Sequence, residues 1–233
     1  MSVPTCILLQ HTREMVLARH PSVTRFAVWC ALIAVPVLAA DSQLDPLLKK
    51  VENRYNRAQS LKLDFSETYV GIGHAPSRTE SGTLFLKKPG RMRWEYSSPA
   101  GKLYVSDGKD VFLYTPEQRE AVKSKLRATE DMRAPLAFLL GKLDFGREFK
   151  GFETRQEGAN TWITAEPKNP NLEYTRVEFL VSPEGEILKL KVASDTNAKM
   201  EFAFSHETLN PPVNAGQFVF HPPAGVEIRD AGQ

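Results

Sequence analysis

Gly82-Thr-Leu-Phe-Leu-Lys-Lys-Pro-Gly-Arg-Met-Arg-Trp-Glu-Tyr96 reads as two strands joined by a tight turn. In its second half Met92, Trp94 and Tyr96 alternate with Arg91, Arg93 and Glu95. A period of two means a strand with one buried and one wet face. Lys88-Pro89-Gly90 supplies the turn, with Pro presetting its own φ and Gly free to take a positive one. Residues 82–88 then form the preceding strand of a hairpin.

The same period extends in both directions. Leu61, Leu63 and Phe65 alternate with Lys62, Asp64 and Ser66. Further strands are expected near 102–106, 110–115, 119–124, 161–166, 174–182, 186–194, 199–206 and 217–220. Asp107-Gly108, Glu157-Gly158-Ala159-Asn160 and Pro183-Glu184-Gly185 punctuate them as turns. Many short strands at regular spacing imply a largely antiparallel sheet, barrel or sandwich. Two helices are expected beside it. The first starts with Asp45 as N-cap and Pro46 at the first helical position, and buries Leu47, Leu48, Val51, Tyr55 and Ala58 on one side. The second is short, Ala134-Pro-Leu-Ala-Phe-Leu-Leu-Gly141, with Leu136, Leu139 and Leu140 on one stripe and Phe138 beside it. A helix inserted into a strand-rich chain covers a sheet face or plugs a barrel mouth.

Residues 1–39 read as a secretory signal peptide. Arg13, Arg19 and Arg25 precede the apolar run 26–35, and Val37 and Ala39 are small residues at the cut. The run is too short for a good membrane span. Cleavage after Ala39 is expected, with Ala40 as the alternative, and Met15 as the true initiator would give a leader of ordinary length. Cys6 and Cys30 both lie in this segment, so residues 40–233 contain no thiol and no cysteine for a lipid anchor. They read as a single domain of about 194 residues, large enough to fold by burial without disulfides. Removing three Arg and one Glu takes the net charge from +2 to zero, which gives no reason to expect a nucleic-acid partner.

Gly82–Tyr96, followed by Ser98-Pro99 and Val105-Ser-Asp-Gly-Lys109, resembles the outer-membrane lipoprotein carrier family, LolA. So does Phe218-Val-Phe-His-Pro-Pro-Ala-Gly-Val226, and Pro135–Gly141 falls where that family has its second helix. The resemblance runs from about residue 44 to 228. It implies an incomplete, half-open antiparallel β-barrel with an α-helical lid over a hydrophobic cavity. It also implies a soluble, monomeric periplasmic chaperone that needs no cofactor. The partners so implied are acylated lipoproteins, the inner-membrane ABC transporter that releases them, and an outer-membrane acceptor lipoprotein where one exists. A carrier of another lipid or glycolipid, or a lipoprotein-sensing interaction protein, would use the same scaffold.

Acyl chains with dozens of methylenes carry a gross transfer term on the order of 30 kcal/mol. Full burial in a rigid pocket would pass the range where complexes still release. Partial, adjustable burial by Met and aromatic side chains suits a carrier better. On the first strands the candidates for the cavity wall are Leu63, Phe65, Phe85, Met92, Trp94, Tyr96 and Val105. Leu136, Phe138, Leu139 and Leu140 are the lid candidates. Val177, Phe179, Met200, Phe202 and Phe204 come from later strands. The same residues would equally make an ordinary core in any sandwich of this size. Lys88 stands where family members often have an Arg that hydrogen-bonds lid backbone carbonyls when the site is empty, which makes it the latch candidate. Lys brings three donors on a point charge rather than a planar fork, and an exposed lysine beside a turn is the alternative.

Catalytic and metal signatures are missing from the sequence. His74, His206 and His221 are scattered without helical pairing, no G-x-S-x-G nucleophile motif occurs, and no Gly-rich phosphate loop is present. Lys87, Lys88, Arg91 and Arg93 form a solvated strand face more readily than a phosphate site. A lipid hydrolase would need a nucleophile–base pair, and the expectation is a protein that is not an enzyme and holds no metal.

Overall fold

The computed structural model describes residues 41–70, 77–126, 142–172, 174–195 and 198–231. The leader and the helix expected at Ala134–Gly141, with Leu136, Phe138, Leu139 and Leu140, lie outside the described residues. Everything described belongs to one compact unit, Val37–Gln233.

Strands β1 (Ser60–Val70), β2 (Arg78–Lys87), β3 (Arg91–Ser98), β4 (Leu103–Asp107), β5 (Asp110–Thr115) and β6 (Glu120–Lys125) form an antiparallel meander. A second meander comprises β7 (Phe149–Glu157), β8 (Asn160–Pro167), β9 (Arg176–Val181), β10 (Ile187–Ala193) and β11 (Lys199–Leu209). The two join because β1 pairs antiparallel with β11. Together with β12 (Glu227–Asp230) they make one 12-stranded sheet, in the order β12-β6-β5-β4-β3-β2-β1-β11-β10-β9-β8-β7. Its ends do not meet, so the mainly β, unclosed architecture expected from the sequence is present. One pairing differs: β12 runs parallel to β6.

The sheet curls. From β3 to β11 is three strand spacings, about 14 Å along a flat sheet. Yet the rings of Trp94 on β3 and Phe202 on β11 have centroids 5.8 Å apart, and Phe65 on β1 lies 4.7 Å from Trp94. Side chains converge this way only on the concave side of a bent sheet.

Helix α1 (Asp41–Arg57) packs on that side and contributes Leu44, Leu48, Val51 and Tyr55 to the same core cluster as the inward strand residues. It begins earlier than Asp45, so Pro46 lies inside it. Pro46 is the sixth residue, past the four whose N–H groups have no intrahelical partner, so the helix forgoes one backbone bond there. The side chain of Asn56 brackets Leu143, donating to its carbonyl (2.8 Å) and accepting from its N–H (2.7 Å). Glu52 accepts from the N–H of Phe145 at 2.9 Å. These bonds deliver Leu143, the short helix α2 (Phe145–Glu148) and Phe149 into the core, where Phe145 and Phe149 both meet Phe179 edge-on.

The opposite face of the first meander is crossed by residues 210–226. Ser60 Oγ holds the carbonyl of Pro211, Lys87 that of Val213 and Arg93 that of Gln217. Phe220 then stacks on Phe112 (5.1 Å). The strand expected at 217–220 is instead a 3-10 turn, Ala215–Phe218, whose start is held by a capping box between Asn214 and Gln217.

Candidate functional site

The inner face is built by alternation across adjacent strands. Leu61, Leu63 and Phe65 come from β1, Leu84 and Leu86 from β2, and Met92, Trp94 and Tyr96 from β3. Val177 and Phe179 on β9 and Met200 and Phe202 on β11 belong to the same buried cluster, with Phe204 half-buried against it. Phe65 meets Trp94 and Tyr96 edge-on, and Phe202 stacks on Phe204 at 6.0 Å. The result is an aromatic patch running from β3 across β1 to β11, continued by aliphatic residues toward β8.

Two of the residues expected on this wall face the other way. Phe85 pairs with Arg93 across the β2–β3 ladder, and directly opposed residues share a face. It therefore lies on the outer side, with Lys62 Nζ 5.7 Å from its ring. Val105 also pairs with Arg93 and belongs to the separate outer cluster with Ala121 and Phe220. The inward positions on these strands are Leu84, Leu86 and Tyr104, which pair with Trp94, Met92 and Trp94 respectively. Counting residues back from the Lys88–Gly90 turn in register would have found the two leucines.

At one end the inner face becomes polar. Glu67, buried on β1, accepts from the Tyr96 hydroxyl at 3.0 Å. Lys102 pairs with Glu80 and lies 4.4 Å from the Tyr96 ring, and Arg78 pairs with Glu80 at 3.1 Å. Glu67, Arg78, Glu80 and Lys102, with Tyr69 and Met200, line a cleft of about 240 Å³.

At the other end stands Lys88. Its Nζ donates to the backbone carbonyl of Tyr55 at 2.7 Å. That carbonyl is in the last turn of α1, where carbonyls lack an intrahelical partner. Burial pushes the Lys88 amine below its ordinary pKa, and among the described residues no carboxylate pairs with it. A cation placed against a helix C-terminus is favoured by the helix dipole. The bond ties the first hairpin to the helix that covers the inner face.

A third anchor for α1 was not visible in the sequence. Glu207, whose side chain is 3% exposed, accepts from Arg54 through Nε (2.9 Å) and Nη2 (2.6 Å) and from the Tyr55 hydroxyl (2.6 Å). The hydroxyl in turn accepts from the Ile187 N–H at 2.9 Å. Burial, then the adjacent Glu207, hold the Tyr55 phenol well above its ordinary pKa, so it remains a donor.

Among the described residues, no group of three or more His, Cys, Asp or Glu side chains is placed to hold a metal, and no helix is long and apolar enough to cross a membrane. The geometry offers an apolar face under a helix, pinned at a few polar points.

Residues 56–221 match the model of the family described as outer membrane lipoprotein carrier protein LolA. The chain belongs to the LolA family. The outer-membrane lipoprotein carrier protein of Nitrosomonas europaea is 27% identical over 197 residues, covering 84% of this chain and 92% of that one. The carrier of the same name from Dechloromonas aromatica is 26% identical over 194 residues, covering 83% and 90%. Among solved structures, a LolA superfamily protein from Nitrosomonas europaea is similar with a TM-score of 0.43 at 10% identity, covering 76% of this chain and 97% of that one. Within this LolA-family chain, the stretch Gly82–Tyr96 lies mid-sheet and gives Leu84, Leu86, Met92, Trp94 and Tyr96 to the inner face.

Proposed function

We propose that this protein binds the acyl chains of lipoproteins against the inner face of its sheet and carries them across the periplasm. On this reading residues 1–39 are removed on export, the inner-membrane ABC transporter loads the carrier, and the outer membrane receives the cargo. The observation that carries the proposal is the continuous apolar face from β3 to β8, covered by a helix, in a chain of the lipoprotein-carrier family. Such a face lends graded contact to alkyl chains, each buried methylene contributing about 0.8 kcal/mol. Helix α1 covers that face. Binding and closure therefore compete, and that competition makes release possible.

A release assay tests the reading. Membranes holding a triacylated lipoprotein and its transporter are incubated with the protein and ATP. A soluble one-to-one complex is expected, and a lipoprotein whose acylated cysteine is changed to serine should yield none. Equal recovery of both, or of neither, contradicts the proposal. A complex formed instead with free lipid points to a carrier of another lipid class.

Lys88 is proposed as the latch of the closed state. Removing its bond to the Tyr55 carbonyl costs the empty form the worth of one charged hydrogen bond. Lys88→Leu is therefore expected to bind an apolar fluorescent probe about tenfold more tightly. It should also accumulate as loaded carrier, whereas Lys88→Arg should keep both affinity and transfer near the parent. Normal transfer by Lys88→Leu would remove the latch from the account.

A further inference from the structure

Among the described residues, the inner face contains one buried side-chain polar atom without a hydrogen-bond partner. Trp94 is fully buried, and its indole Nε1 has no hydrogen-bond partner. Buried Trp N–H groups ordinarily find an acceptor, and an orphan one calls for an explanation. Trp162 shows the ordinary case: its Nε1 donates to Glu157 at 2.7 Å. Around Trp94 are the rings of Phe65 and Phe202 and the opposed residues Leu84 and Tyr104.

We infer that Trp94 Nε1 donates to the carbonyl oxygen of an acyl group, ester or amide, when cargo occupies the inner face. The inference rests on the carrier reading above. An acyl carbonyl is the acceptor that an otherwise apolar ligand brings with it, attached directly to the tail that the surrounding rings and leucines would hold. Phe at this position would supply similar apolar contact without a stranded donor. Trp leaves the donor unpaired in the closed form and pairs it in the loaded one, so the hydrogen bond favours cargo over the empty state. It also fixes depth, since the carbonyl marks where alkyl chain ends and headgroup begins.

The test compares a saturated fatty acid methyl ester with the alkyl methyl ether of the same length, each titrated into the parent protein and into Trp94→Phe. The ratio of ester to ether affinity, taken in both proteins, cancels the different hydration of the probes. It is expected to fall about fivefold in Trp94→Phe, the equivalent of one hydrogen bond at ~1 kcal/mol. The N-methyl amide of the same fatty acid, run in parallel, shows which carbonyl source is preferred. An unchanged ratio for both ester and amide overturns the inference and leaves the carrier reading standing. Failure of every probe to bind the parent protein overturns both. A second readout leaves the chain unaltered: the indole N–H resonance that Trp94→Phe abolishes should move downfield with the ester and stay in place with the ether. The same response to both probes would overturn the inference.

Discussion

Arg54→Ala is expected to destabilise the protein by about 3 kcal/mol, although Arg54 lies on the polar side of α1 and only its charge meets the sheet at Glu207. Glu207 is almost fully enclosed and has Arg54 and the Tyr55 hydroxyl as its partners, at 2.6 Å each. Taking away the guanidinium leaves a carboxylate in a site that cannot solvate it, and the cost is the desolvation of that charge rather than the worth of the pair. The consequences reach further than β11. Tyr55 joins Glu207 to the N–H of Ile187, and its own carbonyl receives Lys88, so one helical turn gathers β10, β11 and the first hairpin. Denaturant unfolding checks the value, and the double replacement Arg54→Met with Glu207→Leu should recover only part of the loss, because it also takes the acceptor from the buried Tyr55 hydroxyl. A cost below about 1 kcal/mol for Arg54→Ala, the range of an exposed pair, would contradict the assignment.

Gly82→Ala should be at least as damaging. An added Cβ would lie 1.9 Å from the carbonyl oxygen of Glu95 and 2.8 Å from the Cα of Tyr96, both backbone atoms that no rotamer change can move. The ladder shifts register between Ser81 and Gly82, and Gly82 lies opposite Phe65 on one side and Tyr96 on the other. Across that gap the Phe65 and Tyr96 rings meet edge-on at 5.1 Å. Alanine would force β2 and β3 apart in the middle of the aromatic patch, with an expected loss of about 3 kcal/mol and weakened probe binding. Gly158→Ala is the comparison. Its φ of +62° makes a side chain strained, but no atom lies within 4 Å of the added Cβ, so about 1 kcal/mol is expected. Equal losses at the two positions would show that conformational freedom, not close approach, is what Gly82 provides.

Much of this architecture was legible because it depends on local periodicity. Met92, Trp94 and Tyr96 announced a one-sided strand, and Leu48, Val51 and Tyr55 a one-sided helix. Both meet in one core. Phase between strands was harder. Phe85 and Val105 are as apolar as their neighbours, and only the pairing of each with Arg93 shows that they face outward. Strands β7 and β12 carry no such signal: β7 is polar and bulged beside Gly151, and every residue of β12 is exposed. Contacts distant in sequence left no trace either. Glu207 lies 152 residues from Tyr55, and nothing local marks either as the other's partner. The unpaired indole of Trp94 is likewise a property of the packed interior. Lys88 was located by its place beside Pro89, but its acceptor, the Tyr55 carbonyl, belongs to three-dimensional geometry.

If the inner face gives way to acyl chains, native mass spectrometry of protein purified after export will find cargo on it. A population heavier than the bare chain by one acylated lipoprotein is expected, and its conversion to free carrier when acceptor membranes are added. Bare chain alone, unchanged after incubation with triacylated lipoprotein in detergent below its micelle threshold, would contradict it.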